Sequence, residues 1–283
     1  MLKRALRLLR AFLLGDIIHS AVATSIMARE QYIKALLSET RYQDDRTLSR
    51  YGFKVYSQND EDGIIQEIYT RIGFGSKTFV EFGVENGLQN NTLKLLLDGW
   101  RGLWIEGSKP DVTKIQQTFR DVIEQNRLHV RQAFIDRNNI NQLIGETFQG
   151  EIDFLSIDID GNDVYILEAL DVVRPRVIVI EYNGKFPPPM NVAQVYNPAH
   201  HWRGKDYGGA SLAAITVVAE RKGYALVGCN ITGVNAFLVR SDLLGDRFCP
   251  PFTAERHYEP ARYFLAPTFV AGHRADWGPY TQM

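Results

Sequence analysis

Two apolar runs, Ile152–Ile159 and Val177–Tyr182, constrain this chain more than any other feature of its sequence. Both are nearly continuous apolar runs, as expected of strands buried on both faces of a parallel sheet. The helical stretch Val164–Leu170 lies between them and supplies the crossover that parallel neighbours need. The same alternation runs upstream. It reads strand Lys77–Val84, helix Leu88–Asp98 ending near Gly99, strand Arg101–Glu106, helix Asp111–Gln125, strand Leu128–Ile135 and helix Asn138–Phe148 with Asn138 as its N-cap. Downstream, Pro187-Pro188-Pro189 and Asn197-Pro198 make Gly184–Gly209 a long loop. Helix Ala210–Lys222, strand Ala225–Cys229, a turn at Thr232-Gly233 and strand Asn235–Val239 then close the sheet with a hairpin. The prediction is an α/β chain with a doubly wound, mostly parallel sheet over residues 51–247, a lid at 184–209, and a tail at 248–283 packed on the domain.

Residues 1–50 stand apart from this alternation as an N-terminal helical extension. Leu2, Leu6, Leu9 and Leu13 recur at helical spacing while Lys3, Arg4, Arg7 and Arg10 supply only positive charge, which makes a basic amphipathic helix. Ala21-Val22-Ala23 after a basic start resembles the end of a signal peptide, but Asp16 and His19 interrupt the apolar part. Asp16 also breaks the run of about 20 apolar residues that a membrane span requires. The segment is expected to lie on an anionic membrane face, or to pack on its own domain or on a second subunit.

With 32 Lys plus Arg against 33 Asp plus Glu, the chain lacks a basic field for DNA or RNA. Cys229 and Cys249 are too few for a disulfide framework and lack zinc-ligand spacing. Both read as reduced thiols of a cytoplasmic protein, peripheral on the inner face of the membrane if the first helix binds lipid.

The segment Thr78-Phe79-Val80-Glu81-Phe82-Gly83-Val84-Glu85-Asn86-Gly87 carries a buried strand into an acid, a glycine turn and a helix. Glycine there lets the backbone approach a ligand closely. Glu106 ends the following strand 23 positions after Gly83, where a carboxylate can accept both ribose hydroxyls of a nucleoside held over the turn. A full Gly-x-Gly-x-x-Gly is absent, and Glu85 and Asn86 stand where a pyrophosphate would lie. A cationic, phosphate-free nucleoside such as S-adenosylmethionine therefore fits better than a dinucleotide.

A second constellation is Ser156-Ile157-Asp158-Ile159-Asp160-Gly161-Asn162-Asp163, which delivers carboxylates to the carboxyl end of a strand, where open α/β sheets bind ligands. Strand alternation would put Asp158 and Asp160 on one face, able to hold a hard divalent cation or to act as a general base. Asp163 reads as a helix cap. Glu181-Tyr182-Asn183 adds oxygen ligands at the neighbouring strand end. The long loop contributes His200, His201, Trp202, Lys205, Asp206 and Tyr207: aromatic rings to pack on sugar faces, and imidazoles able to take a hydroxyl proton. His129, His257, His273, Trp277 and Tyr280 read as structural.

Ser57-Gln58, Glu61-Asp62, Val80-Glu81-Phe82-Gly83, Asn90-Asn91-Thr92, Glu106, Ser156 to Gly161 and Asp206-Tyr207-Gly208-Gly209-Ala210-Ser211-Leu212 together resemble the FkbM-like S-adenosylmethionine-dependent methyltransferases over roughly residues 56–240. The resemblance implies the class I methyltransferase fold, a Rossmann-like seven-stranded sheet whose last strand is antiparallel. It also implies methyl transfer to sugar hydroxyls of polysaccharides or natural products. Carried onto this chain, Gln58, Glu81, Gly83, Asn86, Gly87, Asn91 and Thr92 would line the cofactor, Glu81, Gly83 and Gly87 at its methionine end. Glu106 would hold its ribose and Asp136 its adenine. Asp158 would stand between cofactor and reaction centre, with Asp160 and His201 as further catalytic groups. His200, Trp202, Asp206 and Tyr207 would meet the acceptor. Ser156 and Asp160 replace the family's usual Lys and Glu, and this departure looks more like metal-assisted O-methyltransferases, with Asp158, Glu181 and Asn183 as ligands of magnesium or another divalent cation.

Two other functions share these residues. Asp158-x-Asp160 at a strand end is also how many glycosyltransferases hold a metal and a nucleotide diphosphate, and a non-catalytic scaffold of the same fold could use the first helix to recruit enzymes to a membrane.

Overall fold

The computed structural model describes residues 2–202 and 207–266 of the 283-residue chain, with side chains from residue 15 onward except that of residue 16. The expectations for Lys205, Asp206, His273, Trp277 and Tyr280 lie outside the described residues. In chain order the first elements are α1 (Leu2–Leu37), α2 (Glu61–Ile72), β1 (Thr78–Phe82), α3 (Leu93–Leu97), β2 (Arg101–Glu106), α4 (Lys109–Thr118), α5 (Arg120–Glu124) and β3 (Leu128–Gln132). There follow α6 (Ile140–Gly145), β4 (Gly150–Ile157), α7 (Asp163–Ala169), β5 (Val173–Glu181), α8 (Leu212–Arg221), β6 (Tyr224–Cys229), β7 (Asn235–Arg240) and α9 (Ala254–His257).

The seven strands form one sheet in the order β3-β2-β1-β4-β5-β7-β6. Pairing is parallel from β3 to β5, and β7 runs antiparallel to both of its neighbours. This is the doubly wound, Rossmann-like arrangement with an antiparallel last strand. Strand alternation explains why the apolar runs are continuous, because successive residues serve opposite faces. Val80, Phe82, Leu155 and Ile157 pack with α6, α7 and α8 on one side of the sheet. Phe79, Trp104, Phe154 and Val177 pack with α2, α3 and α4 on the other. Strand order reverses between β1 and β4, and their carboxyl ends open there into a crevice.

Boundaries differ from the sequence expectation where side chains compete with helical hydrogen bonds. The helix expected from residue 88 starts at Leu93, because the backbone N–H groups of Asn91 and Thr92 donate to Glu81 instead. The helix expected over 111–125 breaks into α4 and α5 at Phe119, whose ring is buried edge-on against Trp104 at 5.0 Å. At α6 the N-cap position is Asn139, not Asn138: the Asp136 carboxylate accepts from the N–H groups of Asn138 and Asn139 at 2.7 and 2.9 Å, and the helix starts at Ile140. Helix α2 precedes the alternation expected from the sequence, and it packs Ile64, Ile65 and Ile68 against the sheet.

The segment after α1 and the segment after α9 meet at the carboxyl edge of the sheet. Glu259, 1% exposed, accepts from the Tyr42 hydroxyl at 2.8 Å, from Arg41 at 3.0 Å and from Arg262 at 2.7 Å. The Tyr182 hydroxyl, from just past β5, donates to the Glu259 carbonyl at 2.6 Å. A buried acid with this many charged and polar donors is a brace between segments distant in sequence.

Candidate active site

At the end of β1, Glu81 is buried and its carboxylate accepts from the backbone N–H groups of Asn91 and Thr92 at 2.9 and 3.1 Å and from the Thr92 hydroxyl. Trp104 Nε1 donates to that hydroxyl at 2.7 Å, and Asn91 Nδ2 donates to Ser156 Oγ at 3.0 Å. Burial outweighs these donors and raises the Glu81 pKa to about 7. Glu81, Asn91 and Thr92 are thus wired to one another and to β4, forming the floor of the crevice.

Gly83 follows with φ +69°, and a Cβ there would sit 2.0 Å from the Asp158 carbonyl oxygen. Only glycine lets the ends of β1 and β4 come this close. Gly87, with φ +79°, faces the core instead, where a Cβ would lie 2.8 Å from the rings of Trp104 and Phe119. Asn86 caps its own turn by accepting from Leu88 N–H at 2.9 Å. Glu85 takes a left-handed backbone, φ 49°, and donates its N–H to Glu106 Oε2 at 2.9 Å, while Ser108 N–H donates to Oε1 at 2.7 Å. Glu106 therefore laces together the turns after β1 and β2. A carboxylate offers about four acceptor sites, so each oxygen retains room for a ligand hydroxyl. Burial raises the Glu106 pKa against those two donors.

Across the crevice, carboxylate oxygens of Asp158, Asp163 and Glu181 lie within 4.8 Å of one another. Asp163 accepts from the N–H groups of Ile159 and Gly161, both at 2.8 Å, and so shapes the loop before α7 instead of capping the helix. No hydrogen-bond donor among the described residues reaches the Asp158 or Glu181 carboxylate. Burial, reinforced by the neighbouring acids, pushes both pKa values well above the usual carboxylate range, and burial raises Asp163 to about 6 against its backbone donors. Such a group has the oxygen ligands a hard divalent cation takes.

One expectation needs correction here. Asp160 does not share a strand face with Asp158, because β4 ends at Ile157 and Asp160 is an exposed residue in the left-handed region, φ 59°. It stands outside the three-acid group, although its charge still raises the Asp158 pKa. Asn183, just past the end of β5, accepts on Oδ1 from Lys185 N–H at 3.1 Å and donates from Nδ2 to the Gly208 carbonyl at 2.9 Å. Asp163 occupies the third corner, a role its capping sequence signature concealed.

Glu61 belongs to one of the motifs that carry the family resemblance. It is fully buried at the start of α2 and accepts from Asn230 Nδ2 at 2.7 Å and Asn235 Nδ2 at 2.9 Å, tying α2 to the β6–β7 turn. Neighbouring Asp62 gathers the N–H groups of Val55, Tyr56 and Ser57 on one oxygen at 2.6 to 2.8 Å. Gln58 lies exposed on the loop between them, where its carbonyl accepts from Lys54 at 2.9 Å.

The long loop is pinned at its base. Asn162 donates to the Asn197 carbonyl at 2.8 Å and accepts from Gln194 Nε2 at 3.2 Å, and the Tyr165 hydroxyl donates to the Gln194 carbonyl at 2.6 Å. Arg137 lies over the Tyr196 ring at 5.0 Å. Beyond these anchors the two histidines part. His201 is exposed and packs edge-on to Phe134 at 5.7 Å, on the side of β3 where Asp136 lies. His200 sits 6.2 Å from the Tyr207 ring and close enough to Asp160 to offset in part the rise that burial imposes on the Asp160 pKa. The structure thus sets His200, not His201, beside Asp160. Trp202 and Tyr207 are 57% and 64% exposed. A cavity of about 290 Å³ between α2 and α3, walled by Tyr69, Phe74 and Trp100, flanks the sheet and does not overlie the three acids.

The carboxylates make a stability prediction. A folded-state pKa above the unfolded one means that the folded protein binds more protons, so stability falls as pH rises from the ordinary carboxylate range near 4 through the raised values. In chelator, the melting temperature is expected to fall between pH 5 and pH 8. Asp158→Asn should make that fall shallower, and magnesium should restore part of the lost stability in the unsubstituted protein. Equal slopes for both proteins would contradict the assignment.

No protein-family model matches the chain, and no curated protein matches it by sequence. Among solved structures it is similar to the N-terminal domain of EvdMO1 with SAH bound, at 15% identity over 66% of this chain and 88% of that one, with a TM-score of 0.40. It is also similar to the Bacillus cereus O-methyltransferase in complex with SAH, at 15% identity over 76% and 89%, with a TM-score of 0.38. A third is the magnesium protoporphyrin IX methyltransferase ChlM from Synechocystis PCC 6803 with bound SAH, at 14% identity over 64% and 81%, with a TM-score of 0.41.

Proposed function

We propose that the chain is an S-adenosylmethionine-dependent O-methyltransferase of the FkbM-like kind, acting on a hydroxyl of a sugar or glycan-like acceptor. The observation that carries this reading is the chemistry of the crevice at the β1/β4 switch point. Glu106, with acceptor capacity to spare, faces three mutually repelling carboxylates across a glycine turn. A phosphate would meet repulsion there. A nucleoside bearing an ammonium and a sulfonium would find a ribose acceptor at one end and compensating charge at the other.

S-adenosylmethionine supplies an electrophilic methyl group when bound. Glu106 holds the ribose, Asp136 borders the adenine side, and the Glu81–Thr92–Asn91 floor keeps the β1 turn in shape. Asp158, just past the carboxyl end of β4 in the crevice, is the group proposed to take the proton of the acceptor hydroxyl. His200, Trp202 and Tyr207 orient the acceptor, and Asp206 belongs to the same stretch of loop. The residues also fit a divalent cation: Asp158, Asp163 and Glu181 would hold it, and it would lower the pKa of an acceptor hydroxyl. The glycosyltransferase alternative loses its support with Asp160 outside the carboxylate group.

The test is calorimetric titration of the full chain with S-adenosylhomocysteine, in chelator and then with magnesium. Micromolar binding in chelator is expected. Absence of binding in both conditions would overturn the proposal, and a sugar nucleotide binding with metal would put the glycosyltransferase in its place.

A further inference from the structure

The other described residues leave most of helix α1 uncovered. It runs unbroken for 36 residues, about 54 Å at 1.5 Å per residue. Among its described side chains the buried ones belong to the last turns, where Leu36 is buried and Ile33 and Leu37 pack with Tyr42, Ile231 and Leu265. Between residues 17 and 32 none is buried, and Ile17, Ile18 and Met27 are 63%, 56% and 60% exposed. A helix projecting this far gains little from tertiary packing, which supplies most helical stability in proteins.

The sequence of the first turns says what would cover it. At 100° per residue, Leu2, Ala5, Leu6, Leu8, Leu9, Phe12 and Leu13 fall within one arc of about 160°, while Lys3, Arg4, Arg7 and Arg10 fall in the opposite arc of about 120°. No acidic residue precedes Asp16. A second copy packed on the leucine face would leave the four cations of each helix facing solvent without a counter-charge, whereas an anionic lipid surface accepts both faces, acyl chains under the leucines and headgroups beside the cations. Crossing the bilayer is not the alternative, since no helix among the described residues is long and apolar enough. At the docked end, Tyr32 and Phe264 meet edge to face at 5.4 Å and are 41% and 61% exposed, rings of the kind that favour a membrane interface. That end also packs on Ile231 in the β6–β7 turn, at the same sheet edge as Glu181, which pairs with Asn235.

We infer that α1 binds the protein peripherally to an anionic membrane surface through residues 2–13. Binding is reversible and salt-sensitive, because one short amphipathic stretch with four cations is a modest anchor. Membrane binding of this kind is independent of methyl transfer. The test is flotation of the full chain with vesicles of phosphatidylcholine alone and with 30% phosphatidylglycerol. Most of the protein should float with the anionic vesicles and little with the neutral ones, and 0.5 M salt should return it to the bottom fraction. The variant K3E/R4E/R7E/R10E should lose flotation while keeping its melting temperature and its affinity for S-adenosylhomocysteine. Equal behaviour on both vesicle types, or no flotation at all, would overturn the inference. So would a dimer by light scattering that falls apart in the charge-reversed variant without any lipid binding.

Discussion

Glu106→Ala is expected to weaken S-adenosylhomocysteine binding by about a hundredfold while leaving the protein folded. A carboxylate at the tip of β2 can accept both ribose hydroxyls, and a hydrogen bond to a charged group contributes about 1.5–3 kcal/mol, so losing the pair removes roughly 3 kcal/mol or more. The substitution also frees the N–H groups of Glu85 and Ser108, which Glu106 holds at 2.9 and 2.7 Å, and so loosens the two turns that border the ribose. Glu106→Gln separates the effects. Its amide keeps one acceptor oxygen and the side-chain volume, so a loss of about tenfold is expected. Titration of the three proteins at one pH, with melting curves beside each, measures both consequences. An alanine variant that binds within threefold of the unsubstituted chain would mean that the ribose, and with it the cofactor orientation, lies elsewhere.

The sheet is legible in the sequence because its central strands are covered on both faces. Continuous runs such as Ile152–Ile159 leave few other ways to bury so much apolar surface, and the order of glycine turn, Glu106 and Asp158 then locates the crevice. What cannot be read depends on where regular structure stops. Period-two reasoning groups Asp158 with Asp160, but the strand ends at Ile157 and the next residues turn into a loop braced by Asp163. Asp163 is hidden for the same reason, since an acid at the start of a helix normally serves the helix. Loop 184–209 reads as a lid from its prolines and glycines, and a side-chain clasp of Asn162, Gln194 and Tyr165 fixes its base. Partnerships of this kind, 29 and 32 residues apart, leave no local pattern to read.

Gly83→Ala is expected to be the most damaging single-methyl change in the site. Its φ of +69° alone costs an alanine about 1–2 kcal/mol. A greater cost comes from the Asp158 carbonyl oxygen, 2.0 Å from where the new Cβ would sit, far inside any carbon–oxygen contact. Neither partner is a flexible side chain. Relief requires the ends of β1 and β4 to separate, which strains the hydrogen bond from Gly83 N–H to the Ile105 carbonyl at 3.1 Å and pulls Asp158 away from Asp163 and Glu181. A total loss of about 3–5 kcal/mol is expected, or roughly 6–15 °C in melting temperature for a domain of this size. Gly99→Ala is the control, because that glycine has φ +85° but nothing within 4 Å of its would-be Cβ. It should show the conformational cost alone, about 1–2 kcal/mol. The difference between the two variants isolates the contact between β1 and β4, and S-adenosylhomocysteine titration of whatever remains folded reports whether that contact also shapes the cofactor site. If the two alanine variants melt within 2 °C of each other, the β1 turn yields without disturbing β4, and the crevice is held open by Glu81 and its partners at Asn91 and Thr92 instead.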